Sequence, residues 1–502
     1  MWTRRYQTIL LLVVALSLFL LLSSSPNIAY RVSRISGPRF DPSTGSWLSF
    51  NQGVFGGTSR SGKSKWFTTH DSFDNLISET TTPDGSPSPG FTIFDRIYLY
   101  NGTFYVVTSN PDSIPDRELI LARPTRNSEG LLHQEEAPTE KASELQVISP
   151  EQARDILGSY AVVIEGTSFI FYDTKEFTGH YYHFWGEIVL GAMRIYAALS
   201  LVPGIRTPLP DPARFLMPNV EGRTWRDRAG VNGPLMRAGF PSSPLELSDA
   251  WDDFITVNQT FVFERAMIVS RRAAHQSPWS SEWYKMISST MPVPVPKRFW
   301  EPLRQRLVKN MLGYLPELDQ WGRLAVDSVP ADTLQLVEDH DDGQAYRRWL
   351  PPMVTYISRQ GAGRRLTDES HQSLIDAMRG LESEGVIRFQ AVLMEKLAFR
   401  DQIAAVAGSA AIIGVHGNGL THQLWVPATP CSTVIEIFHR PAYVHDYEML
   451  SRNAEHKHYA MWNDTPVTYP EGEWYSGVNY GEEGTFHDNF FPVYGPAAAQ
   501  PC

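Results

Sequence analysis

Cysteine is nearly absent: the 502 residues contain two, Cys431 and Cys502. A disulfide scaffold is excluded, so the fold must rest on its apolar core, with at most one bridge between these two. Positive charge is also in short supply. Lys and Arg number 44 against 55 Asp and Glu, a formal net charge of −11. A nucleic-acid binder would need a concentrated basic face, and none is expected here. No internal repeat is visible, and no G-x-S-x-G nucleophile elbow occurs. His439, His445, His456 and His458 lack a metal-ligand spacing with cysteine or carboxylate partners.

What is present is ordinary globular material. Hydrophobic residues make up 42% and aromatics 12%, enough for large cores, and the length suits two or three domains. At the N-terminus Arg4 and Arg5 precede an apolar run from Ile9 to Leu22, about 14 residues against the roughly 20 of a full span. The run reads as a signal peptide or a short signal anchor. Arg31, Arg34 and Arg39 on its other side leave charge bias undecided. Three N-glycosylation sequons, at Asn101, Asn258 and Asn463, agree with entry into the secretory pathway.

Residues 26–60, rich in Ser, Gly, Pro and Arg, read as a stem. Ile97–Tyr100 and Thr103–Val107 predict a hairpin across an Asn-Gly turn. Ala161–Ile164 and Phe169–Tyr172 suggest a second hairpin. From about residue 353 strands and helices alternate: strands at Met353–Ser358, Val386–Phe389, Ala411–Val415 and Thr433–Phe438, with helices between them. Thr367 is the expected cap of the first helix. Such alternation implies a parallel sheet with covering helices.

Three constellations carry chemistry. The most informative is Ala411-Ile-Ile-Gly-Val-His-Gly-Asn-Gly-Leu-Thr-His422, a buried strand, a glycine turn and a helix start. Such a turn presents backbone N–H groups and the positive end of a helix dipole to an anion. His416 and Asn418 lie among its glycines, and Glu436 sits on the next strand. The second is Ser358-Arg-Gln-Gly-Ala-Gly-Arg-Arg365, arginines on a glycine-rich loop after a strand, suited to clamping a diphosphate. The third is His180-Tyr-Tyr-His-Phe-Trp-Gly-Glu187. On a helix His183 and Glu187 share a face, to which Arg194 should return, a possible tuned general base. Each has a bland reading too: a tight turn, a solvated loop and a structural polar network.

Two further motifs carry less. Gly57-Thr-Ser-Arg-Ser-Gly-Lys-Ser64 matches the P-loop pattern but lacks a flanking strand and helix. With Lys63 and Ser64 it leaves a lumenal sulfotransferase as an alternative class. Asp339-His-Asp341 has the D-x-D form, but lies in an acidic run that reads as a solvated loop.

Together the three constellations resemble glycosyltransferase family 61, which contains plant β-1,2-xylosyltransferases and lumenal O-GlcNAc transferases of animals. The matching blocks are Tyr182–Glu187, Ile357–Arg365, and Gly414–Pro427 with Ser432–Phe438. The resemblance implies an α/β fold of GT-B type: two Rossmann-like domains facing across a cleft, after an N-terminal membrane anchor and stem. It divides the chain into a cytoplasmic tail (1–8), signal anchor or signal peptide (9–25), stem (26–60), acceptor-side domain (61–335), nucleotide-sugar domain (336–465) and a tail packing back (466–502). It implies inverting transfer from a UDP-sugar, xylose or GlcNAc, to a hydroxyl of a glycan or glycoprotein. No tightly bound cofactor and no metal are expected. Arg359, Arg364, Arg365, His416, Gly417, Asn418, Gly419 and Glu436 become the donor-site candidates, with Glu436 meeting the ribose. Arg359 and Arg365 would steady the leaving diphosphate, and Glu187 and His183 are candidates for the base. The expected setting is the Golgi or endoplasmic reticulum, as a single-pass type II membrane protein. A non-catalytic glycan-binding relative is the other alternative.

Overall fold

A computed structural model describes residues 76–84, 87–122, 144–205, 207–331, 349–481 and 490–500, together with the backbone of a short ladder, Phe40–Asp41 with Ser46–Trp47. The expected anchor, most of the stem, Gly57–Ser64, Asp339–Asp341 and Cys502 lie outside the described residues. From Trp66 onward the chain is one compact unit. Within it are two large sheets.

The first sheet has the order Leu145–Ile148, Thr103–Val107, Phe91–Tyr100, Phe261–Val269, Val162–Phe171, Arg214–Leu216, Leu245–Glu246. It is mixed. Phe91–Tyr100 runs antiparallel to both neighbours, whereas Phe261–Val269 and Val162–Phe171 are parallel. The expected hairpin at Asn101-Gly102 is present, with both turn residues at positive φ (47° and 74°) and Tyr100 opposite Thr103.

The second expected hairpin is absent. Val162–Phe171 is one continuous strand. Gly166, at φ 79°, makes a bulge rather than a turn, and its N–H donates to Glu264 of the neighbouring strand. Both apolar runs therefore pair with Phe261–Val269 in the same direction.

The second sheet has the order Arg388–Val392, Met353–Ile357, Ser409–Val415, Thr433–Ile437, Lys457–Trp462, Thr465–Val467. The first five strands are parallel and the last is antiparallel. Numbered along the chain, the parallel strands run 2-1-3-4-5, a doubly wound order whose direction of winding reverses between Met353–Ile357 and Ser409–Val415. Ligands in such sheets bind in the crevice at that reversal, beyond the strands' C-terminal ends. Ser409–Val415 is buried at every residue, as a strand covered on both faces must be. Thr367 caps the helix Asp368–Ser383, its side chain accepting from the Ser370 N–H.

One core cluster crosses both halves of the unit. At its centre Trp185 packs edge-on to Trp425 and to Trp300. The helical stretch Tyr182–Leu201 is long and apolar enough to cross a membrane, yet it is mostly buried inside this core.

Candidate functional site

The glycine turn sits at the sheet's reversal point, as its sequence requires. His416 ends the buried strand, and a 3-10 helix, Asn418–Trp425, follows Gly417. Arg359 leaves the adjacent strand and donates from Nη1 to the His416 carbonyl at 3.0 Å. Gly417, at φ 152°, has a specific reason to lack a side chain. A Cβ there would lie 1.4 Å from Arg359 Nη1. Burial, with Arg364 adding, pulls the Arg359 guanidinium below its usual value. Arg364 also acts electrostatically on His416, Tyr447 and Glu436. Arg365 takes a different place. Its guanidinium lies 4.7 Å above the Phe490 ring and donates to the Ala362 carbonyl.

Glu436 is fully buried behind His416. One oxygen pairs with His416 Nδ1 at 2.5 Å and the other with His458 Nε2 at 2.8 Å. Burial raises the Glu436 carboxyl well above its usual range, with Asp446 and Glu448 adding to it. Burial likewise pushes His416 down to about 3 and His458 to about 4. The three groups form a neutral hydrogen-bonded chain that fixes the His416 ring. Both Glu436 oxygens are thus taken inside the protein.

The His183 block lies against this turn. Residues Tyr182–Val189 form a π-helix, with the Leu190 N–H donating to the Trp185 carbonyl five residues back. π-turns are rare and frequent at functional sites. His183 Nδ1 pairs with Glu187 Oε2 at 2.6 Å. The same oxygen accepts from Arg271 Nη2 at 2.7 Å, and Oε1 accepts from the Met286 N–H at 3.2 Å. Burial alone would raise the Glu187 carboxyl, but Arg271, His183 and Lys285 outweigh it and hold it well below the usual range. Glu187 is 1% exposed and His183 31% exposed, so only the imidazole reaches solvent.

Arg194 does not return to this face. It donates to the Thr290, Met291 and Val293 carbonyls and to Asn453. Arg271 takes the expected role, stacked 4.1 Å over Phe177 and held by Asp173 through its backbone N–H. Asp173 and Arg271 follow the ends of the parallel strands Val162–Phe171 and Phe261–Val269. The strand-end rule that located Arg359 would also have located Arg271.

Several contacts join the halves of the site. The Asn418 side chain accepts from the Tyr182 N–H at 3.1 Å. Lys285 Nζ donates to Asp446 Oδ1 at 2.9 Å, and the Tyr182 ring packs against Tyr447, which packs against His416. Burial would lower the Lys285 ammonium, but Asp446 and Glu187 outweigh it and raise it, so the pair stays charged. Lys285, Asp446 and Tyr447 carried no sequence signal, because their partners lie far away in the chain.

Residues 181–435 match the family Glycosyltransferase 61. The chain belongs to this family. The matched span begins at the π-helix and ends one residue before Glu436. An EGF domain-specific O-linked N-acetylglucosamine transferase of Drosophila melanogaster is 28% identical over 137 residues, which are 27% of this chain and 24% of that protein. The match therefore spans about a quarter of that relative's length. A glycosyltransferase needs a group to deprotonate the attacking hydroxyl and charge to receive the leaving group, and the family's span encloses candidates for both.

Proposed function

We propose that the protein is an inverting glycosyltransferase that moves a sugar from a UDP-sugar to a hydroxyl of a glycan or glycoprotein. The observation that carries this reading is the Asn418–Tyr182 hydrogen bond, which holds a solvent-reaching imidazole–carboxylate pair against an anion-binding turn. His183 is the base. It takes the acceptor's proton as the acceptor oxygen attacks the anomeric carbon from the face opposite the departing UDP. The sugar–phosphate bond breaks and UDP leaves with its electron pair. Glu187 does not meet the acceptor. It orients the ring and stabilises the imidazolium.

Charge developing on UDP is received by Arg359, Arg364 and the Gly417–Gly419 turn. Arg365 instead braces the loop. Glu436 fixes His416 and leaves the ribose to other groups. GT-B architecture is part of the same reading, supported by two sheets with site residues at their strand ends. GlcNAc is favoured over xylose by the name of the fly relative. A secretory setting, in the Golgi or endoplasmic reticulum as a type II membrane protein, accords with the apolar run at Ile9–Leu22 and the three sequons.

Thermal unfolding of the purified protein with UDP, UDP-GlcNAc and UDP-xylose tests the reading. A ligand at about 100 times its Kd stabilises by about 2.7 kcal/mol, a readily measured rise in Tm. No shift with any of them, and no hydrolysis of any UDP-sugar, would sink it.

A further inference from the structure

The sequon residue Asn463 occupies a place that the transfer reaction does not use. It is the first residue of a two-residue turn between the strands Lys457–Trp462 and Thr465–Val467, exposed and at φ 54°. Its carbonyl accepts from the Tyr494 N–H at 2.9 Å. The same C-terminal segment is held to the helix Asp368–Ser383 by two more bonds. The Val493 N–H donates to Ser370 Oγ and the Gly495 N–H to Ser373 Oγ, each at 3.0 Å. Gly495 packs so closely that a Cβ would lie 2.0 Å from the Ser373 carbonyl.

Over this junction lies a groove of about 470 Å³ lined by Asn463, Asp464, Tyr494, Glu369, Ser370 and Ser373. Tyr494 is 54% exposed, an aromatic face open on one side. The two serine oxygens accept from the backbone, and each hydroxyl still has a hydrogen to give. Glu369 and Asp464 offer carboxylates to sugar hydroxyls. An apolar ring face, two hydroxyl donors and two carboxylate acceptors are the chemistry that a hexosamine ring matches.

We propose that Asn463 carries an N-linked glycan whose first GlcNAc lies in this groove, joining the segment 490–500 to the helix Asp368–Ser383. The proposal rests on the secretory setting of the reading above. The sugar is a structural part of the protein at this position.

The test uses the full chain made in a eukaryotic secretory host. Glycopeptide mass spectrometry reads occupancy at Asn101, Asn258 and Asn463 separately. Hydrogen exchange of residues 490–500 is then compared in three forms: untreated, trimmed to a single GlcNAc by an endoglycosidase, and fully stripped by an amidase. Untreated and trimmed protein should match. The stripped form should exchange roughly three- to tenfold faster there, as the loss of one ring contact predicts. Tyr494→Ala should keep the glycan but bring the untreated form to the stripped rate. An unmodified Asn463 beside an occupied Asn101 or Asn258 overturns this proposal and leaves the secretory reading standing. Three empty sequons overturn both. Unchanged exchange after full stripping also overturns the proposal.

Discussion

Glu187→Gln separates the orienting role of this carboxylate from a purely structural one. In the native site one oxygen serves both His183 and Arg271, at 2.6 and 2.7 Å, and the other takes the Met286 N–H. The amide keeps the shape but has one acceptor oxygen and no charge. Whichever way it turns, a buried donor loses its partner. With the amide NH₂ turned toward Arg271, that guanidinium is left with Asp173, whose carboxylate is 4.0 Å from Nε; with it turned the other way, the Met286 N–H is stranded. Breaking a buried charge pair costs about 3–5 kcal/mol, and that loss is expected in the urea midpoint.

The same change costs the acid limb of stability. The folded Glu187 carboxyl lies below its ordinary value of 4.5, so its contribution is complete above that pH and is lost as pH falls toward the folded value. Catalysis should fall with it. A misoriented or uncharged partner removes general-base assistance, worth about 10²- to 10⁴-fold in kcat, with little change in donor KM.

His183→Ala supplies the control. The imidazole is 31% exposed, so the variant should remain folded and lose a similar factor in kcat. Because the two residues act as a unit, the double variant should be scarcely worse than either single one. Turnover is measured with the UDP-sugar that stabilises the protein best. If His183→Ala keeps native kcat, or Glu187→Gln loses stability but not kcat, the assignment of the base is wrong.

Arg359→Ala should weaken UDP binding by about 10- to 150-fold, the value of a charge-assisted hydrogen bond, and should cost the free protein about 1–3 kcal/mol by stranding the His416 carbonyl. Gly417→Ala should also weaken UDP binding, by displacing that guanidinium, and should lower the melting temperature besides, because a side chain at φ 152° is strained; normal UDP protection in either variant would contradict the cradle. His422 and His456, pushed from 6.5 to about 4 by burial, should make stability fall as pH drops between those values. The unfolded chain binds protons there that the folded chain refuses, about 1.4 kcal/mol per pH unit for each histidine; a flat urea midpoint across that window would contradict their burial. Asp446→Asn should cost up to about 3 kcal/mol by stranding the Lys285 ammonium, and adding Lys285→Met should restore part of it; additive losses would refute the pairing. Lys63→Ala should leave turnover intact, and an inactive variant would favour the sulfotransferase alternative.

Local chemistry was legible in the sequence, and distant pairing was not. The strand before His416 declared itself as an unbroken apolar run, and Asn101-Gly102 and Thr367 each name their own backbone geometry. Gly166 misled because a glycine between two apolar runs fits a bulge as well as a turn, and only the neighbouring strand decides. Arg194 misled because a π-helix turns through a different angle per residue than the α-helix assumed, so the face carrying Glu187 does not recur where a 3.6-residue period puts it. Arg271 and Lys285 meet Glu187 and Asp446 at sequence separations of 84 and 161, distances over which periodicity says nothing.

The Asn418–Tyr182 bond spans 236 positions of chain. A contact of that separation closes a very long loop, and its entropic cost must be met before the contact gives anything back. The base and the anion turn therefore become one site only when segments 236 positions apart have met. An N-terminal fragment released early from the ribosome holds His183 but no site. The Tyr182 amide, bonded to a side chain 236 positions away, is accordingly a single-proton report on whether the two halves of the site have met.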